Sequence, residues 1–328
     1  MLINYLIIIL SGFLSGIFFI ALLKKPALKY KILVPQGIPL IGGITMGISF
    51  LVACLIVLRL YGGLPQKTWG MIAASFIMLA FGIIDDWKEL SILAKFTVQI
   101  IAASLLVLSG TRTQIVNIGN TANIIITFLW LLGISNAFNH LDIMDGLAAG
   151  AAIIVSCSFL TISILNNDIQ NAILSLALSG VILSLLIYNL PPAKIYMGNA
   201  GSHFLGFILA AYALAISYAP LERKAALFSP LLILGLPIFD TAFLILVRIM
   251  RKKLPFKKSN DHLALLFLAA GYSKKRILWI MFGLGAFFSL CGILISQASN
   301  QLGLAVIVGA LMIGLVITKK MSRVAVNG

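Results

Sequence analysis

Residues 81–90 read FGIIDDWKEL, and they set two adjacent carboxylates at the end of a stretch that is otherwise apolar. Asp85 and Asp86 are followed by a third acid, Glu89. Acidic side chains near bilayer depth are costly and are usually retained for function. The alternative for an isolated pair is that Asp85 and Asp86 only cap the preceding helix where it meets water. The composition of the chain and its other polar segments distinguish between these two interpretations.

The composition is that of a membrane protein. Hydrophobic residues make up 61% of the chain, charged residues 10%, and the mean hydropathy is +1.10. These values lie far outside the range of soluble domains. Cys54, Cys157 and Cys291 are widely separated and lack zinc-ligand or disulfide spacing, so we interpret them as packing residues. The sequence therefore predicts an all-α, polytopic integral membrane helix bundle.

Eleven apolar segments are candidates for transmembrane helices of roughly 17 to 25 residues. The fifth is the shortest, so we predict 10 to 11 spans in one domain that covers residues 1–328. The segments lie near residues 2–23, 40–60, 69–84, 93–109, 122–135, 148–165, 170–188, 204–219, 226–249, 277–296 and 301–318.

The distribution of basic residues predicts the orientation. The first span is followed directly by KKPALKYK, which indicates a retained anchor with an outside N-terminus, and eleven spans then leave the C-terminus in the cytoplasm. Nineteen of the 24 Lys and Arg residues then fall on the cytoplasmic side. Topology thus explains the net charge of +15 without nucleic-acid binding. The charge also favours contact with anionic membrane lipids or with an anionic cytosolic substrate, which the sequence does not separate.

A second polar stretch, NAFNHLDIMDGLAAG at residues 136–150, lies on the same predicted face. Asn136, Asn139, Asp142 and Asp145 recur at every third residue. On a helix this spacing keeps side chains on one side, so the pattern predicts a stripe of carboxamides and carboxylates at the membrane surface.

Two glycine-rich turns complete this face. In PPAKIYMGNAGSHFLG, at residues 191–206, Gly198, Gly201 and Ser202 permit a tight backbone and expose N–H groups at a helix start, a geometry suited to phosphate. PQGIPLIGG, at residues 35–43, ends in Gly42 and Gly43. Each turn alone could equally be an ordinary interhelical connection.

Taken together, these segments resemble the polyprenyl-phosphate N-acetylhexosamine-1-phosphate transferases of glycosyltransferase family 4. That superfamily includes the undecaprenyl-phosphate GlcNAc-1-phosphate transferases and the phospho-MurNAc-pentapeptide translocases. The matching segments occur in family order over roughly residues 35 to 275. They are PLIGG, IDDWKEL with Lys95 and Gln99, the two polar stretches at 136–150 and 192–206, and PLLILGLPIFDTAFLILVRI followed by DHL and GYS.

The resemblance implies a reaction and a location. It implies transfer of a sugar-1-phosphate from a UDP-sugar to polyprenyl (undecaprenyl) phosphate, with release of UMP and assistance from Mg²⁺ or Mn²⁺. It further implies a multi-pass protein of the bacterial plasma membrane whose active site faces the cytoplasm, a role in cell-envelope polysaccharide synthesis, and a homodimer as one arrangement. Residues 1–328 would form a single transmembrane transferase-like domain.

The resemblance also implies roles for individual residues. Asp85 and Asp86 would be the acids of the lipid-phosphate and metal site, and Asn139, Asp142 and Asp145 would face the nucleotide sugar. His262 and the nearby Lys252, Lys253, Lys257 and Lys258 would handle the diphosphate. The implied catalytic residues are Asp85, Asp86, Asp142 and Asp145. The implied substrate-binding residues are Gly42, Gly43, Lys95, Asn136, Asn139, Lys194, Ser202 and His262. The implied metal ligands are Asp85, Asp86 and Asn199.

The sequence departs from the family pattern at three places. Asn199 stands where the family usually has a metal-binding Asp, Ala264 to Leu266 replace two histidines and an arginine, and Ile143 replaces a glycine. A second hypothesis is therefore a family member without turnover that binds lipid phosphate or scaffolds a partner. A secondary transporter is a third class, disfavoured because no repeat pair and no mid-membrane acid beyond Asp240 is present. We expect Asp240 to be a structural partner within the bundle.

Overall fold

The computed structural model describes residues 2–116, 118–219, 222–250, 252 and 261–324. Within these ranges the chain is all-helical and contains no strand, which confirms the predicted fold class. The helices are α1 (Leu2–Tyr30), α2 (Gly42–Tyr61), α3 (Gln66–Trp87), α4 (Ile92–Leu108), α5 (Gly119–Leu141), α6 (Leu147–Leu165), α7 (Ile169–Asn189), α8 (Gly198–Ala215), α9 (Ser229–Ile233), α10 (Gly235–Met250), α11 (Leu263–Ala269), α12 (Lys274–Gln297) and α13 (Asn300–Met321).

All eleven predicted apolar segments coincide with helices. Eight helices of the described chain are long and apolar enough to cross a membrane, namely α1, α2, α3, α5, α6, α7, α12 and α13. A ninth span is formed if the pair Lys224–Ile233 and Gly235–Met250, bent by 75°, crosses as one unit. Helix α4, with 17 residues, is shorter than these spans. Helix α8 begins with a polar turn and is less apolar than they are. The orientation of the termini remains a prediction.

The helices pack as two compact units, which divide between Ser217 and Tyr218. In the first unit, α1 packs along α7 and α2, while α8 packs against α2, α3 and α5. Every residue of α8 from Ala200 to Ala213 is buried, so α8 is the central helix of this unit. Because α8 contacts protein and not lipid, its first turn can hold the polar Asn199 and Ser202. The predicted single domain stays a prediction.

One end of the first unit gathers the starts of α2 and α8 and the ends of α3 and α5. The backbone N–H groups of Gly42 and Gly43 donate to the carbonyls of Tyr196 and Met197, at 2.9 and 3.0 Å, and so join the segments that begin α2 and α8. Successive antiparallel helices return the loops after α1, α3, α5 and α7 to this end. These are the loops in which the sequence places its polar motifs.

The expected single stripe of Asn136, Asn139, Asp142 and Asp145 is wrong in its second half. Helix α5 runs for 23 residues, well past the predicted end at residue 135, but stops at Leu141. Asp142 has non-helical dihedral angles, and Gly146 adopts a left-handed φ of +76° before α6 begins. Aspartate and glycine both favour turns over helix interiors. The two asparagines therefore lie on α5, and the two aspartates lie in the turn that follows.

The second unit contains the broken span. The helix is interrupted at Leu234, between α9 and α10. The hydroxyl of Ser289 donates to the carbonyl of Ile233 at 3.1 Å, and the hydroxyl of Ser229 donates to the carbonyl of Gly292 at 2.8 Å. The Ser289 hydroxyl thus satisfies a backbone carbonyl at the break, as a membrane interior requires, while the Ser229 hydroxyl ties α9 to α12. Lys253, Lys257 and Lys258, which the sequence predicts near the diphosphate, lie outside the described residues.

Candidate active site

Asp85, in the last turn of α3, is held by groups from the connection that follows and from α4. It is 5% exposed, and its Oδ2 lies 2.7 Å from Nζ of Lys95. Its Oδ1 accepts a hydrogen bond from the backbone N–H of Leu90 at 2.8 Å. The carboxylate is thus matched by one positive charge and one backbone donor. This arrangement balances the charge of Asp85 locally and fixes the short connection between α3 and α4.

Asp86 contacts a different helix. Its Oδ1 accepts from the backbone N–H of Asn199 at 2.8 Å, and its Oδ2 accepts from that of Ala200 at 3.0 Å. These N–H groups belong to the first turn of α8, where an α-helix has no internal acceptors and carries a partial positive charge. Asp86 therefore caps α8 from the end of α3. The two N–H groups are occupied by this carboxylate, so the phosphate-binding geometry expected at Gly198 is already used by a side chain.

Glycines make this close approach possible. A Cβ on Gly43 would collide with the backbone of Gly201 and Ala200, and a Cβ on Gly82 would collide with the backbone of Ala200. Both glycines are buried in their helices. Any larger residue would push α2 or α3 away from the start of α8. The prediction that Gly43 contacts substrate is untested, and in this structure the glycine serves helix packing.

Carboxamides connect α4, α5 and α8. Asn139 donates from Nδ2 to Oδ1 of Asn199 at 2.9 Å and to the hydroxyl of Ser202 at 3.0 Å. One turn earlier on α5, Asn136 and Gln99 exchange two amide hydrogen bonds of 3.0 and 3.1 Å. The Asn136 amide is thereby committed to α4, whereas Asn139 orients the side chain of Asn199. The sequence places Gln99 beside the IDDWKEL motif but does not predict that Asn136 is its hydrogen-bond partner.

The turn between α5 and α6 brings Asp142 and Asp145 to the same end. Oδ2 of Asp145 accepts from the backbone N–H of Ala193 at 3.2 Å. Asn189 holds the turn from the other side, since it accepts from the N–H of Gly146 at 3.1 Å and donates to the carbonyl of Ile195 at 3.0 Å. Sequence reasoning missed Asn189, although an asparagine at the end of an apolar helix was a usable signal.

Asp142 lies where negative charge accumulates. Although part of the residue is exposed, its carboxyl is surrounded by protein. Burial, and then the negative charges of Asp86 and Asp145, raise the pKa of Asp142 to about 7. Lys95 forms an ion pair with Asp85, and the charges that act on Asp142 are those of Asp86 and Asp145.

The residues of this end fit a hard divalent cation. Carboxylate and carboxamide oxygens are the ligands that Mg²⁺ and Mn²⁺ take. Among the described residues, no three His, Cys, Asp or Glu side chains are arranged around one point. That agrees with the way Mg²⁺ usually binds, through one or two carboxylates together with substrate phosphate oxygens. Of the three predicted ligands, Asp86 and Asn199 could supply oxygens, together with Asp142. The oxygens of Asp85 contact Lys95 and the Leu90 N–H, and its role as a ligand stays a prediction.

Three further predicted residues are described by their own surroundings. Lys194 is exposed in the loop between α7 and α8, and Gly42 is buried at the start of α2. His262 lies in the second unit, where its Nδ1 is 2.9 Å from Oδ2 of Asp240. Contact of these three residues with substrate stays a prediction.

Comparison with known proteins identifies the family of the chain. Residues 68–217, which cover α4 to α8 and all but the first two residues of α3, match the family model described as glycosyl transferase family 4. A Bacillus subtilis (strain 168) protein named "Probable undecaprenyl-phosphate N-acetylglucosaminyl 1-phosphate transferase" is 34% identical over 245 residues, which cover 71% of this chain and 67% of that protein. The chain belongs to glycosyl transferase family 4.

Two further relatives extend the similarity. A Mycobacterium tuberculosis (strain ATCC 25618 / H37Rv) "Decaprenyl-phosphate N-acetylglucosaminephosphotransferase" is 29% identical, over 85% of this chain and 78% of that protein. A Listeria welshimeri "Phospho-N-acetylmuramoyl-pentapeptide-transferase" is 28% identical, over 78% of this chain and 84% of that protein. The family resemblance that the motifs imply is thereby confirmed.

The cap on α8 can be tested by substitution. We expect Asp86→Ala to lower the free energy of unfolding by about 1 kcal/mol, because it removes both acceptors from the first turn of α8. Hydrogen exchange should accelerate at the amides of Asn199 and Ala200. The matched control is Glu89→Ala, which removes an exposed acid from the same loop. Equal exchange in the two variants would show that Asp86 does not cap α8.

The pKa of Asp142 predicts how cation binding depends on pH. A carboxyl whose pKa is raised to about 7 is mostly protonated at pH 6 and mostly charged at pH 8. A cation that displaces this proton should bind about tenfold more tightly at pH 8 than at pH 6. Electron paramagnetic resonance titration with Mn²⁺ measures this affinity. Asp142→Asn should bind Mn²⁺ more weakly and flatten the pH dependence, and a flat response in the unmodified chain would contradict the assignment.

Proposed function

We propose that this protein transfers N-acetylhexosamine-1-phosphate from a UDP-sugar to polyprenyl phosphate and releases UMP. The observation that carries the proposal is the meeting of Asp85, Asp86, Asn139, Asp142 and Asn199 at one end of the first unit. Family membership and the relatives' names support the same chemistry. The proposed setting is the bacterial plasma membrane, with this end facing the cytoplasm, in cell-envelope polysaccharide synthesis; a homodimer is part of the proposal.

The reaction exchanges one phosphoanhydride for another. An oxygen of the lipid phosphate forms a bond to the β-phosphorus of the UDP-sugar. The bond from that phosphorus to the bridging oxygen breaks, and UMP leaves with the electron pair. The products are a polyprenyl-diphosphate sugar and UMP. Since both reactants are anions, catalysis of phosphoryl transfer depends mainly on positioning and on offsetting charge.

The described residues suit these tasks. Asp85 holds Lys95 in a fixed place through their ion pair. Asp86 fixes the first turn of α8, and Asn139 orients Asn199 and Ser202 beside it. Asp142, whose pKa is about 7, can accept a proton near neutral pH. The turn that carries Asp142 and Asp145 is proposed to face the nucleotide sugar.

A divalent cation is part of the proposal. When bound, Mg²⁺ or Mn²⁺ would offset phosphate charge and polarise the phosphoryl oxygens. Asp86 and Asp142, with the Asn199 carboxamide oxygen, would hold it. Each oxygen of Asp86 accepts one N–H bond from α8, and a carboxylate has about four acceptor positions, so ligand capacity remains.

The second candidate function is binding of lipid phosphate without turnover. Asn199 favours it, because a neutral side chain stands in the proposed cation site. The retained acids Asp85, Asp86, Asp142 and Asp145 favour the enzyme. Transfer of sugar phosphate is therefore the preferred conclusion, and the two tests below separate it from a silent binding protein.

Release of UMP tests the proposal directly. Purified protein in nanodiscs with undecaprenyl phosphate, Mg²⁺ and a panel of UDP-N-acetylhexosamines should release UMP with at least one sugar. Asp86→Asn, which keeps the size of the side chain, should lower the rate at least about 100-fold. Glu89→Gln is the control and should leave the rate unchanged. UMP release that survives in Asp86→Asn would remove Asp86 from the mechanism.

The Asn199→Asp variant distinguishes an active enzyme from a silent one. The added charge should tighten Mg²⁺ or Mn²⁺ binding by at least about tenfold, measured by Mn²⁺ titration and by the Mg²⁺ dependence of UMP release. The variant should need less Mg²⁺ if the unmodified chain is active, or gain UMP release if it is silent. Unchanged binding and unchanged activity would place Asn199 away from the cation.

A further inference from the structure

Helix α1 continues beyond its apolar part and ends in a cluster of lysines. It contains 29 residues, which is about 43 Å of helix, whereas the hydrocarbon core of a bilayer is about 30 Å thick. Residues 2–23 contain no charged side chain, and Lys24, Lys25, Lys29 and Lys31 follow them. The end of α1 that carries these lysines therefore lies at the depth of the lipid headgroups.

Two of these lysines lie on the lipid-facing side of α1. An α-helix turns by about 100° per residue, so Lys25 and Lys29 lie within about 20° of Phe18 around the helix axis. Phe18 is 59% exposed, and Leu14 and Leu22, four residues before and after it, are exposed to a similar extent. These three residues form an apolar stripe on α1. Lys25 and Lys29, both exposed, continue the apolar stripe to the headgroup level.

The helix keeps its register past Pro26, which lies inside α1. Ile20 is fully buried and Ala27 is 7% exposed, and both lie on the side of α1 opposite Phe18. This is the side that packs along α2 and α7. Since the buried side is the same before and after the proline, the lysines beyond it keep their orientation toward lipid.

The charge of this cluster is not balanced by acids. The sequence contains no Asp or Glu before Asp85. Within the described residues, none of the four lysines forms an ion pair with a carboxylate. Nζ of Lys29 lies 5.4 Å from the ring centroid of Tyr30. Exposed apolar side chains, including Leu28 and Ile32, lie between the lysines. Cations interspersed with apolar residues suit the boundary between hydrocarbon and anionic headgroups.

The lysines belong to the end of the first unit that carries the candidate active site. After α1 the chain turns, and the N–H of Leu40 donates to the carbonyl of Leu33 at 2.7 Å. The N–H of Tyr196 donates to the carbonyl of Pro39 at 2.9 Å, which joins this connection to the segment before α8. A lipid that contacts the lysines of α1 therefore lies in the leaflet that borders the site.

We propose that Lys25 and Lys29, with Lys24 and Lys31 beside them, form a binding surface for the phosphate groups of anionic membrane lipids. The lysine ammonium groups pair with the lipid phosphates, and the acyl chains lie along the apolar stripe. A soluble anion would contact the lysines but not the stripe, so the continuity of the two favours a lipid. This inference goes beyond the proposed function, because lipid binding at α1 requires no turnover.

Photocrosslinking identifies the lipids that lie beside these lysines. The photoreactive residue p-benzoylphenylalanine replaces Leu22, which lies one turn before Lys25. The protein is reconstituted in nanodiscs of phosphatidylcholine and phosphatidylglycerol with identical acyl chains, and mass spectrometry counts the two kinds of lipid adduct. Each lysine near an anionic surface contributes about fivefold in affinity, so we expect phosphatidylglycerol adducts to be enriched at least about fivefold over the bulk composition. In Lys25→Gln/Lys29→Gln the adducts should return to the bulk composition.

Three controls isolate the surface. Lys25→Arg/Lys29→Arg keeps both charges and should keep the enrichment. Lys88→Gln/Lys194→Gln removes two exposed lysines from loops at the same end and should leave it unchanged. Equal loss in this variant would show that net charge alone attracts the lipid, which would overturn the proposal. The same photoreactive residue in place of Leu10, which is exposed nearer the other end of α1, should report the bulk composition.

Two further results would contradict the proposal. These are the bulk composition at position 22 when both lysines are present, and enrichment that persists in Lys25→Gln/Lys29→Gln. Inorganic phosphate and sodium chloride, compared at equal ionic strength, distinguish a lipid from a soluble anion. Equal weakening by the two salts supports a lipid surface, since both screen charge alike, whereas stronger competition by phosphate would assign the lysines to a soluble phosphate. None of these measurements uses UMP release, so their outcome is independent of the proposed function.

Discussion

The first unit depends on the contact between the Asp86 carboxylate and the first turn of α8. Helix α8 is buried from Ala200 to Ala213, so the N–H groups at its start need acceptors from the protein. Asp86 supplies two of them and places a negative charge at the positive end of the helix dipole. The close approach that this requires explains why Gly43 and Gly82 have no side chain. The orientation of Asn199 toward Asn139 follows from the same contact.

The two adjacent acids of the opening motif have different tasks, although their sequence positions look equivalent. Asp85 is paired with Lys95, while Asp86 is bonded to backbone N–H groups that carry only partial charge. Burial, and then the negative charges of Asp86 and Asp145, raise the pKa of Asp142. Both reactants of the proposed transfer are anions, so the proposed cation would offset charge between their phosphates and these carboxylates.

Hydropathy predicted the helices well wherever they face lipid, because lipid imposes apolar side chains over a fixed length. It failed where helices contact protein. The end of α5 from Asn136 to Leu141 was missed because its amides are satisfied by neighbouring helices. Helix α8 begins at Gly198, six residues before the predicted start, because Asp86 makes a polar first turn tolerable. The three-residue spacing of polar side chains wrongly predicted one helical stripe that continues through Asp142 and Asp145. Spacing alone does not reveal the turn that Gly146 permits.

The motif residues were found from sequence, but their partners were not. Each pairing of Gln99 with Asn136, of Asp86 with the α8 backbone and of Asp240 with His262 joins separate segments of the chain. Sequence position carries no information about such contacts when no related sequences are compared. Asp240 shows the consequence most clearly: a lone acid in an apolar span reads as a structural residue, until its two oxygens are seen to hold a histidine and the backbone beside it.

The geometry around Asn199 bears on whether this chain is an enzyme or a silent relative. Its Oδ1 accepts from Nδ2 of Asn139, and its backbone N–H donates to Asp86. An aspartate could make both contacts unchanged, because each uses an oxygen or a backbone group that the two residues share. The replacement therefore removes one charge and leaves the arrangement of the site intact. Because Asp86 also caps α8, the fold requires these contacts in an active enzyme and in a silent relative alike.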